Sequence, residues 1–262
     1  DYSDQGGYPY SPYNVETKQV APINYNRYSS FRRLISSTGF NAQYSNNNIS
    51  FNSQTSYQFI KTHLGIDQDF TPEDKFFTVN DFHQNMVSQE FTLKSNNKSR
   101  YQWIVGLFGM IDNTNQFVQN SAFEKNIASP ITYKTPTKSF AIYHQSSYNI
   151  WKGLSATVGL RFDYEHSKIN YKKGVLNLNT NAVKMLPDYV DKTSFTQFTP
   201  KFTLQYLTTA HNLYYASITR GYKPGGFNVS LTKDTEHTYG PEYSWNYEVG
   251  TRLNFLNDKL TV

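Results

Sequence analysis

Apolar and polar residues alternate one by one along much of this chain. From Leu154 to Glu165, Leu154, Ala156, Val158, Leu160, Phe162 and Tyr164 fall on one side of an extended backbone. Ser155, Thr157, Gly159, Arg161, Asp163 and Glu165 fall on the other. A helix scatters these two sets, whereas a strand separates them. The pattern returns in Phe198, Pro200, Phe202, Leu204 and Tyr206 against Thr199, Lys201, Thr203 and Gln205. It returns again in Trp245, Tyr247 and Val249 against Asn246, Glu248 and Gly250, with Arg252 continuing the polar set. Tyr101, Trp103, Val105 and Leu107 form a further stripe. Across 138–151 the two sides are less distinct. Ten strands are expected, at about 30–45, 49–60, 83–95, 100–112, 138–151, 154–170, 194–207, 212–222, 241–255 and from 259 onward.

The connections between these strands alternate in length. Short turns are expected at 46–48, 95–99, 151–153, 208–211 and 256–258. Long polar connections are expected at 61–82, 113–137, 171–193 and 223–240. Structureless loops of that length are uncommon in compact soluble domains. Antiparallel hairpins with tight turns at one end and long loops at the other are the plan of an up-and-down transmembrane β-barrel. On that plan Val158, Leu160, Phe162, Phe202, Leu204, Tyr247 and Val249 face lipid. Arg161, Asp163, Glu165, Lys201, Glu248 and Arg252 face a wet lumen. Alternation alone also fits a soluble β-sandwich or a lectin-like sheet, whose apolar face is a core.

Composition strengthens the membrane plan. The 262 residues are 17% aromatic, with 22 Tyr and 19 Phe, although the mean hydropathy is −0.65. No apolar run is long enough for a transmembrane helix, but a transmembrane strand needs only ~9–11 residues, every second one apolar. There is no cysteine, which excludes disulfides and cysteine–zinc sites. The net charge of +5 comes from scattered Lys and Arg rather than a basic stripe, so no nucleic-acid partner is expected.

Candidate chemistry is sparse. Gly221 to Gly226 does not form a phosphate loop, since Lys223 precedes Pro224 in a strand context rather than Ser or Thr at a helix start. Pro224 removes a ladder donor, and Gly225 and Gly226 are expected to supply positive φ. Asp163, Glu165 and His166 are read as wall residues, not as an acid–base pair. The acidic run Asp67, Asp69, Glu73, Asp74 and Asp81 lacks the spacing of a calcium loop. The other histidines show no ligand spacing. No nucleophile elbow, catalytic triad or dinucleotide fingerprint is present, so the chain reads as a non-enzyme without a cofactor.

"YYASITRGYKPGGFN" (214–228) followed by "GPEYSWNYEVGTRLNFLNDKLTV" (240–262) closely resembles the barrel of TonB-dependent outer-membrane receptors of the iron-complex type. "SFAIYHQSSYNIWKGLSATVGLRFDYE" (139–165), "FTPKFTLQY" (198–206), "SQEFTLKS" and "WIVGLFGM" are similar to further strands of it. Residues 1–82 match in texture only. The resemblance implies energised uptake of a ferric-siderophore-like complex at the outer membrane of a Gram-negative bacterium. It also implies outer-membrane lipid as surroundings and a TonB energy-transducing partner acting through a plug domain. The strand at 212–222 then runs outward, which places Tyr222, Lys223 and Phe227 at the extracellular rim as candidate ligand contacts. A haem-uptake signature is absent. Such barrels have ~22 strands, so the chain is expected to be a middle portion of one, with the plug and the remaining strands outside it. Alone, it is expected neither to insert stably nor to transport. A passive porin and an importer of cobalamin or oligosaccharide are the alternatives.

Overall fold

The structure is a computed structural model that describes every residue except 9, 210, 229–236 and 257–258. Its strands are, in chain order, β1 (Tyr2–Gly6), β2 (Tyr13–Asn14), β3 (Gln19–Val20), β4 (Ser30–Ser45), β5 (Ile49–Asp67), β6 (Phe76–Ser95), β7 (Tyr101–Ala122), β8 (Ile127–Trp151) and β9 (Leu154–Asn177). They continue with β10 (Val183–Met185), β11 (Tyr189–Leu207), β12 (Leu213–Lys223), β13 (Gly226–Phe227), β14 (Thr238–Tyr239), β15 (Glu242–Arg252), β16 (Asn254–Phe255) and β17 (Leu260–Thr261). One antiparallel sheet runs in the order β1-β4-β5-β6-β7-β8-β9-β11-β12-β15, and β10 pairs back onto β9. This is an incomplete up-and-down barrel, and the all-β antiparallel expectation holds.

The register settles which residues share a face. Val158, Leu160 and Phe162 align with Phe202, Pro200 and Phe198 on β11, and Phe202 aligns with Ile218 on β12. Ile218 and Ala216 in turn oppose Tyr247 and Val249. Leu204 joins them opposite Ala156. Arg161, Asp163, Glu165, Lys201, Glu248 and Arg252 lie on the opposite face. The segment 138–151 also resolves: Phe140, Ile142 and Tyr148 share the Val158 face, and Ala141 and Tyr143 the Arg161 face.

The two faces differ in cover. On the Arg161 face Ala141, Ile169, Gln197 and Thr203 are buried. On the Val158 face Val158, Leu160, Phe198, Phe202 and Leu204 are exposed, with Tyr247 at 74% and Val249 at 85%. A row of bare aromatic and branched side chains this continuous needs a non-aqueous neighbour.

Three of the long connections are corrected. Strand pairing occupies most of 61–82, 113–137 and 171–193, because β5 runs to Asp67, β7 to Ala122 and β9 to Asn177. At 25 residues β8 is about 80 Å long at ~3.3 Å per residue. Even tilted by ~45°, it rises about twice the ~25 Å of an apolar band. Beyond that level the ladder continues with the polarity of its faces exchanged: Lys134, Lys168 and Asn170 take the Val158 side, and Ile131, Ile169 and Tyr171 the other.

Prolines interrupt the ladder instead of ending the strands. The β8–β9 pairing skips Ser129–Pro130 and Thr135–Pro136, although β7 pairs with all four. The β11–β12 ladder ends at Lys201↔Thr219, beside Pro200, although Pro200 still aligns with Leu160 on β9. A proline lacks the N–H that one neighbour would accept.

The N-terminal segment joins the sheet through β1 on β4. Arg27 fixes its end. Its guanidinium donates to Asp74 at 2.5 and 2.9 Å and stacks 3.8 Å above the Phe123 ring. That hydrogen bond raises the Arg27 pKa and lowers that of Asp74. The strand expected at 241–255 ends at Arg252. Leu260–Thr261 pairs back onto Asn254–Phe255, and the turn expected at 256–258 lies largely outside the described residues.

Candidate functional site

On the Arg161 face, halfway up the sheet, β6, β8, β9 and β11 bring polar side chains together. Glycine at 106 makes this possible. Gly106 sits opposite Tyr143, and a Cβ there would lie 2.1 Å from the Tyr143 ring. The ring therefore lies flat across β7 and reaches β6, where its hydroxyl donates to Glu90 Oε1 at 2.8 Å and lies 3.1 Å from Thr92 Oγ1. Arg161 stacks beside it, 5.6 Å from the Tyr143 centroid and 5.7 Å from that of Phe108. Its Nε donates to both Asp163 oxygens, at 2.9 and 3.0 Å. Glu90, Tyr143, Gln145, Arg161, Thr199 and Lys201 line a shallow pocket of about 290 Å³.

The same device recurs near the sheet edge. Tyr215 opposes Gly250, where a Cβ would lie 2.5 Å from its ring, and its hydroxyl donates to Glu248 at 2.6 Å. Glu165 accepts from Ser139 at 3.0 Å. Lys201 is exposed on this face, and so is Arg252, opposite Leu213.

Toward the long-connection end the same face turns apolar. Ile131 and Tyr133 on β8 and Ile169 and Tyr171 on β9 form a buried cluster, against which Val118, Tyr189 and Phe227 pack. The Tyr133 and Tyr171 rings are 5.4 Å apart, and burial raises both phenol pKa values. Tyr189 closes the edge. Its hydroxyl donates to Asp191 at 2.7 Å, and its ring meets that of His237 edge-on at 4.7 Å.

The breaker after β12 feeds this cluster. Phe227 folds onto it and is half-buried. The expected positive φ at Gly225 and Gly226 is not found; among the described residues the only glycine with positive φ is Gly153. Close approach explains these two glycines. A Cβ on Gly225 would lie 2.2 Å from the Tyr239 carbonyl oxygen and 2.5 Å from the Phe195 ring, and one on Gly226 would lie 2.5 Å from the Tyr239 hydroxyl. Lys223 is exposed and 3.9 Å from Glu242. Tyr222 opposes Tyr243. Above Pro200, where β12 is free of β11, burial and then the charges of Glu165 and Asp163 raise the Tyr222 phenol pKa.

Sequence reasoning missed Glu90, Tyr143 and Tyr171. A lone glycine inside a strand, as at 106, signals a close neighbour and points to Tyr143 once the register is known. The acidic run serves the turn. Asp69 is approached by burial and then by donors from Thr71 and Phe76, with a net lowering of its pKa. Asp67 accepts from the Arg27 and Phe70 amides. Asp81 faces His63 at 2.6 Å. No cluster of three metal-ligating side chains occurs among the described residues.

Known structures share this fold. The ferric yersiniabactin uptake receptor FyuA from Yersinia pestis superposes with a TM-score of 0.75 at 19% identity, over 88% of this chain and 35% of that one. The ferric-catecholate import receptor Fiu from E. coli K12 gives 0.62 at 12% identity, over 97% and 44%. The ferric citrate transporter FecA gives 0.60 at 16% identity, over 86% and 33%. The chain thus spans less than half the length of each. Residues 1–262, including the N-terminal part that resembled the family in texture only, match the family described as TonB dependent receptor-like, beta-barrel. The chain belongs to that family.

Proposed function

We propose that this chain forms part of the barrel wall of a Gram-negative outer-membrane receptor that imports a ferric-siderophore-like complex, driven by TonB through a plug domain. The observation that carries this reading is the contrast between the two faces. The bare stripe of Val158, Leu160, Phe202, Leu204, Tyr247 and Val249 suits lipid. The Arg161 face opens a shallow polar pocket lined by Glu90, Arg161 and Lys201. The fold neighbours titled as receptors or transporters of ferric complexes support iron as the cargo class.

On this reading Arg161, Asp163, Glu165, Lys201, Glu248 and Arg252 line the lumen, and the Val158 set touches lipid. Tyr222 and Lys223 stand at the rim. Phe227 acts by positioning, since it packs into the Tyr133–Tyr171 cluster that forms the upper lumen wall. Large, rigid aromatic surfaces with hydroxyl tips suit a bulky polar chelate. The test is iron-dependent growth of a strain lacking the gene, fed a panel of ferric siderophores. Growth on at least one chelate should be lost and restored by the whole gene. Unchanged growth on every chelate, with uptake of a sugar or cobalamin lost instead, overturns the cargo.

A further inference from the structure

We propose that the split between β11 and β12 above Pro200 is a binding site for an amphiphile, with an anionic head in the Arg161 pocket and an alkyl tail lying out through the wall to the bare stripe. The β11–β12 ladder ends at Lys201↔Thr219. Beyond it β11 pairs only with β9, and β12 only with β15. The Phe198 and Thr196 amides face β12 as the Pro200 nitrogen does, and they have no ladder partner there. Pro200 aligns with Leu160, and both Leu160 and Phe198 are exposed, so the split starts within the apolar stripe. Open backbone at that depth is tolerated only where protein covers it or a cavity receives it.

The split joins the two faces of the sheet. Arg220 opposes Trp245 and shares the register side of Ile218 and Tyr247. Its guanidinium lies 4.6 Å from the Tyr243 ring centroid. Yet Arg220 also lines the pocket of Arg161, Thr199 and Lys201. Tyr222, on the same register side, feels the charges of Glu165 and Asp163 on the Arg161 face. The chain after β12 bounds the split above, where a Cβ on Gly225 would lie 2.5 Å from the Phe195 ring.

Unused donors select the head. Arg220 Nε is buried without a hydrogen-bond partner. So is Nε2 of Gln197, a residue 6% exposed on the same face as Thr199. Lys201 and Arg220 form no ion pair among the described residues. Glu90 and Asp163 are already taken, by Tyr143 and Arg161. Free donors and cations at the fork suit an oxyanion such as a carboxylate. The banks select the tail: Phe198 on one side and Ile218, Tyr243 and Trp245 on the other are exposed apolar surface, which an alkyl chain covers. The site rests on the membrane setting proposed above. The cargo it implies is a solute with a carboxylate-like head and one fatty tail.

The test uses the whole receptor that contains this chain, held in phosphatidylcholine nanodiscs. The probe is dodecanoate with a photoreactive diazirine at the tail end, and labelled peptides are mapped by mass spectrometry. Label is expected to concentrate on 195–200 and 218–223 rather than on 156–164 of the same stripe. Unlabelled dodecanoate should displace it, and dodecanol, which lacks the charge, should do so about tenfold more weakly. Arg220→Gln should cut the focused label by about fivefold or more, and Pro200→Thr, which lets the ladder extend, should cut it as well. Even labelling along the stripe of the unmodified receptor overturns the proposal without any variant, so a variant that misfolds does not rescue it. Equal focus on the split by a phosphatidylcholine carrying the same diazirine assigns the split to bilayer lipid and also overturns it. Failure of the receptor to enter nanodiscs overturns the membrane reading itself, and the growth panel on ferric chelates tests the iron cargo separately.

Discussion

Tyr143 shows how much of this wall hangs on single side chains. Its ring covers Gly106 and its hydroxyl bridges to Glu90. Gly106→Val should drive the ring off β7 and cost about 1–3 kcal/mol, the range for overpacking. Tyr143→Phe keeps the ring flat and loses the bridge, at about 1–3 kcal/mol if Glu90 is left without a partner. Denaturant unfolding of the whole receptor in micelles measures both, and equal stability of Gly106→Val and the parent would remove the covering role. Tyr189 and Asp191 give a pH-dependent counterpart. The phenol hydrogen bond holds Asp191 below the usual carboxylate range. Burial, then the Asp191 bond, pushes Tyr189 up to about 12. A lowered carboxylate means that the folded form binds fewer protons than the unfolded one. Its contribution is therefore present above the ordinary carboxylate pKa of ~3.9 and is lost as pH falls through the folded value. The raised phenol works in reverse: its contribution is full below the ordinary ~10 and is lost as pH rises toward about 12. Hydrogen exchange at 189–193, corrected for intrinsic rates, should quicken as pH drops below about 4. Asp191→Asn should abolish that acid limb.

At the scale of elements, prolines decide where strands part company. Pro200 stops the β11–β12 ladder at Lys201↔Thr219, and β12 then runs on toward Lys223 paired with β15 alone. Pro200→Thr restores a donor facing β12. Exchange of the Arg220 and Gly221 amides should slow by about fivefold, the equivalent of ~1 kcal/mol for one added bond. If their exchange stays unchanged, the proline is not what ends the pairing. This element also shows where sequence reasoning works and where it stops. Leu154 to Glu165 was legible because one face is a bare apolar stripe and the other is polar, which enforces a period of two. From His166 to Tyr171 the faces exchange roles: Lys168 and Asn170 continue the apolar side, and buried Ser167, Ile169 and Tyr171 continue the polar one, so the stripe breaks off. The wall pocket was legible only in part. Arg161 and Asp163 stood in a visible polar stripe, but Glu90 and Tyr143 meet them through register across separate strands. The Gly225–Gly226 pair looked like a turn and proved to be a place without room for a Cβ.

For the molecule as a whole, the proposed membrane setting makes the cost of a charge depend on its depth in the bilayer. Leu160→Arg, within the bare stripe, should cost about 2–4 kcal/mol if that level is near the midplane, whereas the existing Lys168 sits above the stripe at little cost. An arginine scan down β9, read as folding yield into vesicles, would locate the apolar band on the strand; a flat profile would mean that the Val158 face does not meet lipid. The sheet also has two open edges, at β1 and β15. Unpaired backbone groups are not tolerated in hydrocarbon, so residues 1–262 alone should neither insert stably nor conduct in a planar bilayer. Conductance by the isolated chain would show that it closes on itself.

In the main sheet, from β4 to β15, each strand pairs with the one made before it, and only short elements intervene. Such a sheet can grow like a scarf, row upon row. Each new strand needs only the edge its predecessor has just exposed, and little chain has to be looped out to reach it, which keeps the entropy of closure small. The slow step of assembly then becomes whichever strand finds its predecessor's edge incomplete. In this chain those strands are β9, whose predecessor's edge is interrupted at Pro130 and Pro136, and β12, which meets an edge interrupted by Pro200.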